Sequence, residues 1–278
     1  MIGRIADLFR SKREDHAGAL GVQSILHNAR VEDVIEDPFP HLVIQEALDP
    51  ALYERLASEF PSDDILTMGK NPGNNKKHFF GARAALTDDR ISPLWRNFFE
   101  YHVSGHFYRE VVRLFDRQIR RLYPDLPARL KKDLKRLRTG VRRADLSAEA
   151  FTDCQFAINS PVSENSSTVR GPHLDGPDTL YQCMLYFRDE RDTAGGDLEL
   201  YRFKEGADLS AVGPKAIDPA LVSRVKTVAY EKNTMIVFLN SPRSLHGVSY
   251  RSVTPFTRRY VGILCDFPMK IFPRRLTN

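Results

Sequence analysis

Short apolar runs separated by turns rich in Gly, Pro and Asn fill the second half of the chain. Residues 180–187 are rich in β-favouring side chains, and residues 198–203 alternate apolar and polar positions. Residues 234–239 form a continuous apolar run, and further strand-like runs cover 225–230 and 259–267. Because no helical period separates these runs, the pattern predicts an antiparallel sandwich or jelly roll.

The first half has the periodicity of helices instead. Asp49 can cap a helix that has Pro50 at its first position, and Leu52, Leu56 and Phe60 share one face. A longer helix is predicted over residues 93–122, with its apolar side against the sheet. No internal repeat or low-complexity linker is visible. The chain is therefore predicted to be a single domain, 1–278, in which 1–150 is a mainly helical supporting part and 151–278 a strand core.

Three residues of the second half form a candidate metal site. His173 and Asp175 are separated by one residue, so their side chains point the same way if the segment is extended. A metal ion could then join this pair to His246 on a neighbouring strand. Two imidazoles and one carboxylate bind Fe(II) on one face and leave its other positions open. A His-x-Asp pair also arises often by chance, so its surroundings decide its meaning.

Those surroundings resemble a known family. The segment from Gln155 to Phe267 resembles the double-stranded β-helix core of the Fe(II)/2-oxoglutarate-dependent dioxygenases, especially the prolyl-hydroxylase-like branch. Six elements occur in the family's order: His173-Leu-Asp175, Leu185-Tyr186, Gly195-Gly196, the apolar run from Met235 to Leu239, His246-Gly-Val248 and Arg259-Tyr260. The resemblance implies an α+β fold, with a double-stranded β-helix (jelly roll) core buttressed by N-terminal helices.

The resemblance also implies a chemistry. His173, Asp175 and His246 would hold Fe(II), which would bind 2-oxoglutarate as co-substrate and O2, with release of succinate and CO2. The distal carboxylate of 2-oxoglutarate needs a cation, for which a guanidinium is well suited. Arg259 is predicted to be that cation, on an inward face shared with Val261, Ile263 and Cys265. Arg258 is then predicted to be a solvated charge on the opposite face.

Other polar contacts to the co-substrate are less defined by the sequence. Asn159 stands where many relatives have a tyrosine that contacts 2-oxoglutarate, and Tyr181 is the expected replacement for that tyrosine. Arg170 could meet an anionic substrate near the metal, but a loop arginine is more often a surface residue. The loops expected to choose the substrate, 69–80, 161–169 and 204–224, are polar. They favour a polar small molecule, a sugar-containing metabolite or a peptide side chain as the hydroxylated substrate.

The net charge of +5 raises the alternative of a nucleic-acid dealkylating dioxygenase. Most of the excess lies between Arg129 and Arg143, where Leu130, Leu134, Leu137 and Val141 recur at helical spacing. This pattern predicts an amphipathic helix whose basic face is solvated rather than bound to phosphates. Such dealkylating enzymes usually carry a second arginine six residues after the first, where this chain has Cys265. No specific nucleic-acid partner is expected.

Two further alternatives stay open, a cupin-like metal enzyme and a binding module, neither of which would use 2-oxoglutarate. Cupin sites generally use three histidines and a glutamate, whereas this chain offers two suitable histidines. No apolar run approaches the roughly 20 residues that span a bilayer, so no membrane association is expected. The first 15 residues lack a signal-peptide pattern, and the three cysteines form no paired motif. A cytoplasmic location is expected; the oligomeric state is not indicated.

Overall fold

The computed structural model describes residues 22–207 and 217–273. The N-terminal segment considered for a targeting signal, and residues 208–216 of the polar segment 204–224, lie outside this range. In the described part the helices are α1 (Pro50–Ser58), α2 (Asp63–Thr67), α3 (Ala82–Ala85), α4 (Pro93–His102), α5 (Gly105–Leu114), α6 (Asp116–Leu122) and α7 (Leu126–Leu130). Short 3-10 turns cover Val31–Asp33, Leu134–Arg136 and Pro219–Leu221. None of the helices within this range has the length and apolar character needed to cross a membrane.

Ten strands in this part of the chain form two sheets. They are β1 (His41–Ile44), β2 (Lys77–Gly81), β3 (Thr139–Val141), β4 (Ala150–Asn159), β5 (Thr179–Tyr186), β6 (Leu198–Phe203), β7 (Val222–Val228), β8 (Met235–Leu239), β9 (His246–Val248) and β10 (Arg258–Asp266). The large sheet has the order β1-β8-β5-β10-β4-β2, with β3 parallel to β4, and the small sheet has the order β7-β6-β9. All other named pairings are antiparallel.

Both faces of the large sheet are buried, each against a different layer. One face packs on the small sheet through Ala157, Met184, Tyr186, Ile236, Phe238 and Tyr260, which meet Leu198, Leu200 and Val228. We call this the inner face. The other face packs on the helices through Cys154, Phe156, Tyr181, Cys183, Leu185, Val261, Ile263 and Cys265, which meet Trp95, Phe99 and Tyr108 among others. We call this the outer face. The three cysteines are free and buried.

The prediction for helix α1 is confirmed, and that for residues 93–122 is wrong in its continuity. Asp49 accepts hydrogen bonds from the backbone of Ala51 and Leu52 at the start of α1. Residues 93–122 form three helices, because Ser104 caps the next helix by accepting from the Phe107 backbone, and Phe115 separates the last two. Capping side chains compete with the helical backbone and start a new helix where they occur.

The amphipathic helix predicted between Arg129 and Arg143 is also wrong. The segment contains the end of α7, a 3-10 turn and strand β3. Lys131 ends α7 in the left-handed conformation, with φ of 55°. Leu134, Leu137 and Val141 are nevertheless buried. Spacing alone identified which side chains enter the core, but not the backbone that carries them.

Candidate functional site

Strand β9 places the two histidines of the triad side by side. His173 and His246 form an antiparallel bridge in which the His173 amide donates to the His246 carbonyl at 2.9 Å. The His246 amide returns the bond at 3.1 Å. Gly247 makes this approach possible, because a Cβ there would lie 2.9 Å from the Gly171 carbonyl carbon. The structure thus brings together the residues that the sequence predicted as ligands.

Hydrogen bonds orient both imidazoles. His173 Nδ1 lies 2.9 Å from the Gly171 carbonyl oxygen, and His246 Nδ1 lies 2.9 Å from the Ser244 carbonyl oxygen. Because a carbonyl can only accept, each Nδ1 carries the proton and each Nε2 keeps its lone pair free. The two Nε2 atoms lie 3.7 Å and 3.4 Å from the carboxylate oxygens of Asp175. Ligand atoms of the three residues all lie within 4.8 Å of one another.

The electrostatic surroundings keep the histidines neutral. Burial lowers the pKa of His173 well below its ordinary value, and the neighbouring His246 and Arg170 also disfavour its protonation. Burial also lowers the pKa of His246, against the opposing effect of Asp175. A neutral imidazole is the form that binds a metal ion. The triad is therefore ready to coordinate at neutral pH.

Two side chains contact the carboxylate of Asp175. Gln182 of β5 donates from Nε2 to Oδ2 at 2.7 Å, which holds the carboxylate in place. Arg170 Nη1 lies 3.6 Å from Oδ1, and 37% of the Arg170 side chain is exposed. The expectation that Arg170 is an ordinary surface residue is wrong. Its position two residues before Pro172 was the only sequence signal for this contact.

The arginine on the inner face is Arg258, not Arg259. Arg258 is 1% exposed, and its Nε donates to the Gly196 carbonyl at 2.7 Å. Its guanidinium carbon lies 5.1, 4.8 and 5.0 Å from the ring centroids of Tyr186, Tyr230 and Tyr260. Aromatic faces attract a cation at such distances. The prediction that Arg258 is solvated is therefore wrong.

Arg259 points to the outer side of the large sheet. Its side chain forms an ion pair with Asp63 at 3.0 Å and lies 5.6 Å from the Phe60 ring. It borders a cavity of about 520 Å³ that Tyr53 and Phe187 also line. Val261 and Ile263, which share its face, pack against the helices. The prediction that Arg259 lies inward is wrong, since the apolar face that it shares is the one covered by helices.

Asn159 and Tyr181 also lie on opposite faces of the large sheet. Asn159 is fully buried beside Arg258, whose Nη1 donates to its Oδ1 at 3.2 Å. Tyr181 belongs to the outer core cluster, where burial raises its pKa well above the usual value. The expectation that Tyr181 replaces the tyrosine that contacts 2-oxoglutarate does not fit this position, because Tyr181 lies on the face opposite to Arg258 and Asn159. Tyr186, five residues later on the same strand, lies on the inner face instead.

Several buried donors near Arg258 lack a protein partner. Arg258 Nη2, Asn159 Nδ2 and the Tyr186 hydroxyl make no hydrogen bond to any residue that the structure describes. An unpaired buried polar group costs about 1–3 kcal/mol, so such groups signal an absent ligand or water. One unpaired donor of the buried guanidinium, together with those of Asn159 and Tyr186, forms a cradle suited to an anion.

A second buried arginine, Arg251, also lies beside Gly196. A Cβ on Gly196 would meet the Cδ atoms of Arg251 and Arg258 at 2.9 and 3.0 Å, and φ at Gly196 is 92°. Arg251 forms a buried ion pair with Asp192 at 2.6 Å. Arg251 stands in none of the motifs of the sequence. The Gly-Gly turn was its only signal, since a glycine with positive φ permits such close approach.

Comparisons with known proteins give structural neighbours only. No protein-family model matches the chain, and no curated protein matches it. Among solved structures, the chain is similar to a prolyl 4-hydroxylase from Phytophthora capsici, with 16% identity and a TM-score of 0.48 over 96% of this chain and 72% of that one.

Two further structural neighbours are a second prolyl hydroxylase and a carbocyclase. A prolyl hydroxylase from Trichoplax adhaerens, in complex with a fragment of a hypoxia-inducible factor, matches with 9% identity and a TM-score of 0.43 over 93% of this chain and 95% of that one. The α-ketoglutarate-dependent carbocyclase SnoK of nogalamycin biosynthesis matches with 11% identity and a TM-score of 0.45 over 89% and 85%. At this level of similarity the function has to be inferred from the site itself.

Proposed function

We propose that the protein is an Fe(II)- and 2-oxoglutarate-dependent dioxygenase, most simply a hydroxylase, built on a double-stranded β-helix. The observation that carries the proposal is the triad itself. Two neutral histidines direct Nε2 toward one carboxylate, with the ligand atoms within 4.8 Å. Two histidines and one carboxylate with open positions are typical of non-haem Fe(II) oxygenases.

The residues fit iron in their donor chemistry. Nδ1 of each histidine is already occupied by a backbone carbonyl, so Nε2 is the atom that remains for a metal. Gln182 supports the carboxylate of Asp175, as partners of metal ligands commonly do. When bound, Fe(II) would supply O2 activation coupled to oxidative decarboxylation of 2-oxoglutarate to succinate and CO2. His173, Asp175 and His246 would hold the ion.

Arg258 is the residue that favours a 2-oxo acid over a simple metal hydrolase site. Its guanidinium is buried, keeps one N–H group unpaired, and lies beside Asn159 with another free donor. We assign to Arg258 the distal carboxylate of 2-oxoglutarate, with Asn159 and the Tyr186 hydroxyl as further donors. The rings of Tyr186, Tyr230 and Tyr260 exclude water around this ion pair, which strengthens it.

The reaction that follows is oxidation of a second substrate at the open side of the metal. A polar small molecule, a sugar-containing metabolite or a peptide side chain remains the proposed substrate class.

Succinate formation tests the proposal. Purified protein should convert 2-oxoglutarate to succinate only when Fe(II) is added. The conversion should be slow without the second, oxidised substrate and faster when that substrate is present. His246→Ala should abolish this conversion. Succinate formed equally without iron, or by the His246→Ala protein, would contradict the proposal.

A further inference from the structure

Two cations besides Arg258 border the proposed site, Arg170 at the triad and Lys77 beside Asn159. Arg170 Nη1 lies 3.6 Å from Asp175 Oδ1. Lys77 is paired in register with Asn159, and its Nζ lies 5.7 Å from the ring of Tyr260, which the Arg258 guanidinium approaches at 5.0 Å. The roles proposed above for the metal and for 2-oxoglutarate use neither cation.

Lys77 reaches this position from the edge of the large sheet. It opens β2 and is paired in register with Asn159 of β4, so its side chain projects from the inner face. Its Nζ lies 4.7 Å from the centroid of the Phe79 ring and 5.7 Å from that of Tyr260. Phe79 is 50% exposed, which marks this part of the inner face as open to solvent. Lys77 and Phe79 therefore lie at the rim of the site.

Neither cation is neutralised by a dedicated acid. In the described ranges, Lys77 has no carboxylate within ion-pair distance, and Arg170 has only Asp175. Elsewhere, surface cations of this chain do have acidic partners, as in Arg188–Glu231 and Lys132–Glu149. Asp175 is itself a proposed metal ligand, so its charge is shared with the ion.

With Fe(II) and 2-oxoglutarate bound, the formal charges of the site would sum to an excess of positive charge. Fe(II), Asp175, doubly charged 2-oxoglutarate and Arg258 together cancel. Arg170 and Lys77 remain as two positive charges that the metal and the co-substrate do not balance. Such charges attract an anionic group of the molecule that enters the site.

We propose that Arg170 and Lys77 bind an anionic group of the oxidised substrate, a phosphate, sulfate or carboxylate. This inference rests on the proposed function and narrows its substrate class from polar molecules to anionic ones. Arg170 offers a planar fork of donors, and Lys77 on β2 offers an ammonium with three donors. A purely structural role for Arg170 is less suitable, because Gln182 already holds Asp175 at 2.7 Å.

Inorganic phosphate is the probe for this site. The full protein is loaded with Mn(II), which replaces iron without turnover, and with saturating 2-oxoglutarate, so that the metal and Arg258 are occupied. Phosphate is then titrated by calorimetry into the wild type, Arg170→Gln, the double variant Arg170→Gln/Lys77→Gln, and Lys76→Gln. Lys76 is an exposed lysine one position away and serves as the charge-matched control.

Saturable phosphate binding is expected for the wild type and for Lys76→Gln. Loss of one charged hydrogen bond should weaken binding about tenfold in Arg170→Gln, and the double variant should bind more weakly still. No phosphate binding by the wild type, or equal binding by the double variant through the metal alone, would overturn the inference. The 2-oxoglutarate titration made beforehand separates the two proposals. If that co-substrate fails to bind while phosphate binding depends on Arg170 and Lys77, the anion site stands and the dioxygenase assignment falls.

Discussion

Among single residues, the two histidines of the triad should be essential for iron binding. His173→Ala or His246→Ala should abolish stoichiometric iron binding, because each removes one of three protein ligands. The folded structure should persist, since neither imidazole belongs to the apolar core clusters. Iron measured by elemental analysis, together with circular dichroism, checks this. His106→Ala, on α5, is the control that should keep its iron. Wild-type iron content in either triad variant would refute the ligand assignment.

Arg258 and Arg259 provide a pair of neighbouring variants. Arg258→Gln should weaken 2-oxoglutarate binding by well over tenfold, because a buried ion pair that loses one partner costs about 2–5 kcal/mol. Arg259→Gln should bind it as the wild type does, since Arg259 pairs with Asp63 on the outer side. Calorimetry of the metal-loaded proteins measures both. The opposite ranking would show that the co-substrate binds through Arg259.

His102 should make stability depend on pH. It is buried, its Nδ1 donates to the Phe98 carbonyl, and its Nε2 accepts from the Ile25 amide. Burial lowers its pKa to about 3. The unfolded chain therefore binds a proton that the folded chain does not, and stability falls as pH drops below about 6.5.

The His102 contribution can be isolated by substitution. Between about pH 7.5 and 5.5, one such histidine should lower the free energy of unfolding by about 1.4 kcal/mol. In His102→Gln, urea unfolding of the metal-free protein should show a loss smaller by that amount. An identical pH dependence in the two proteins would mean that folding does not lower the pKa of His102.

Side chains of β10 point alternately to the two faces of the large sheet, and the sequence did not predict which residues lie on which face. The order of His173, Asp175 and His246 was readable because their spacing and types suit a metal. The facing of Arg258 and Arg259 was not, because both faces of the large sheet are buried and apolar residues occupy both. In such a strand the apolar pattern does not mark the interior, and a shift of one position exchanges the faces.

At the scale of elements, the turn before β6 supports Arg258. Gly196→Ala should lower both the melting temperature and the affinity for 2-oxoglutarate, because its Cβ would meet buried Arg251 and Arg258 side chains at 2.9 and 3.0 Å. Gly206→Ala is the matched control. Its φ is also positive, at 71°, but its Cβ would meet nothing within 4 Å. That variant should lose only about 1–2 kcal/mol of stability, with normal co-substrate binding. Equal 2-oxoglutarate affinity in both variants would contradict the cradle.

The number and positions of the helices were predicted less accurately than those of the strands. The strand runs of the second half correspond to β5, β6, β7, β8 and β10. The helical layer was foreseen, but Ser104 and Phe115 interrupt residues 93–122, and the basic segment after Leu130 leaves the helix at Lys131. Capping residues and a residue in the left-handed conformation determine where these helices end. The spacing of hydrophobic residues does not show these positions.

At the scale of the whole molecule, the excess positive charge should not create nucleic-acid binding. Lys135 pairs with Asp116 at 2.6 Å and Arg138 with Asp145 at 3.4 Å, so the basic segment is partly neutralised. DNA affinity should stay near the non-specific range, about 10⁻⁴–10⁻⁶ M. Replacing Lys131, Lys135 and Arg138 by Gln should leave 2-oxoglutarate binding unchanged. Submicromolar, salt-sensitive DNA binding that is lost in this triple variant would favour the dealkylase alternative.

One iron ion held by the triad is proposed to bind 2-oxoglutarate. Under anaerobic conditions, the Fe(II)-loaded protein is titrated with 2-oxoglutarate and the visible absorption of the iron–2-oxo acid chelate is followed. A band that saturates at one equivalent is predicted for the wild type, with a weakened affinity in Arg258→Gln and no band in His246→Ala. Absence of the band in wild-type protein that retains its iron, or an undiminished band in His246→Ala, would contradict the claim.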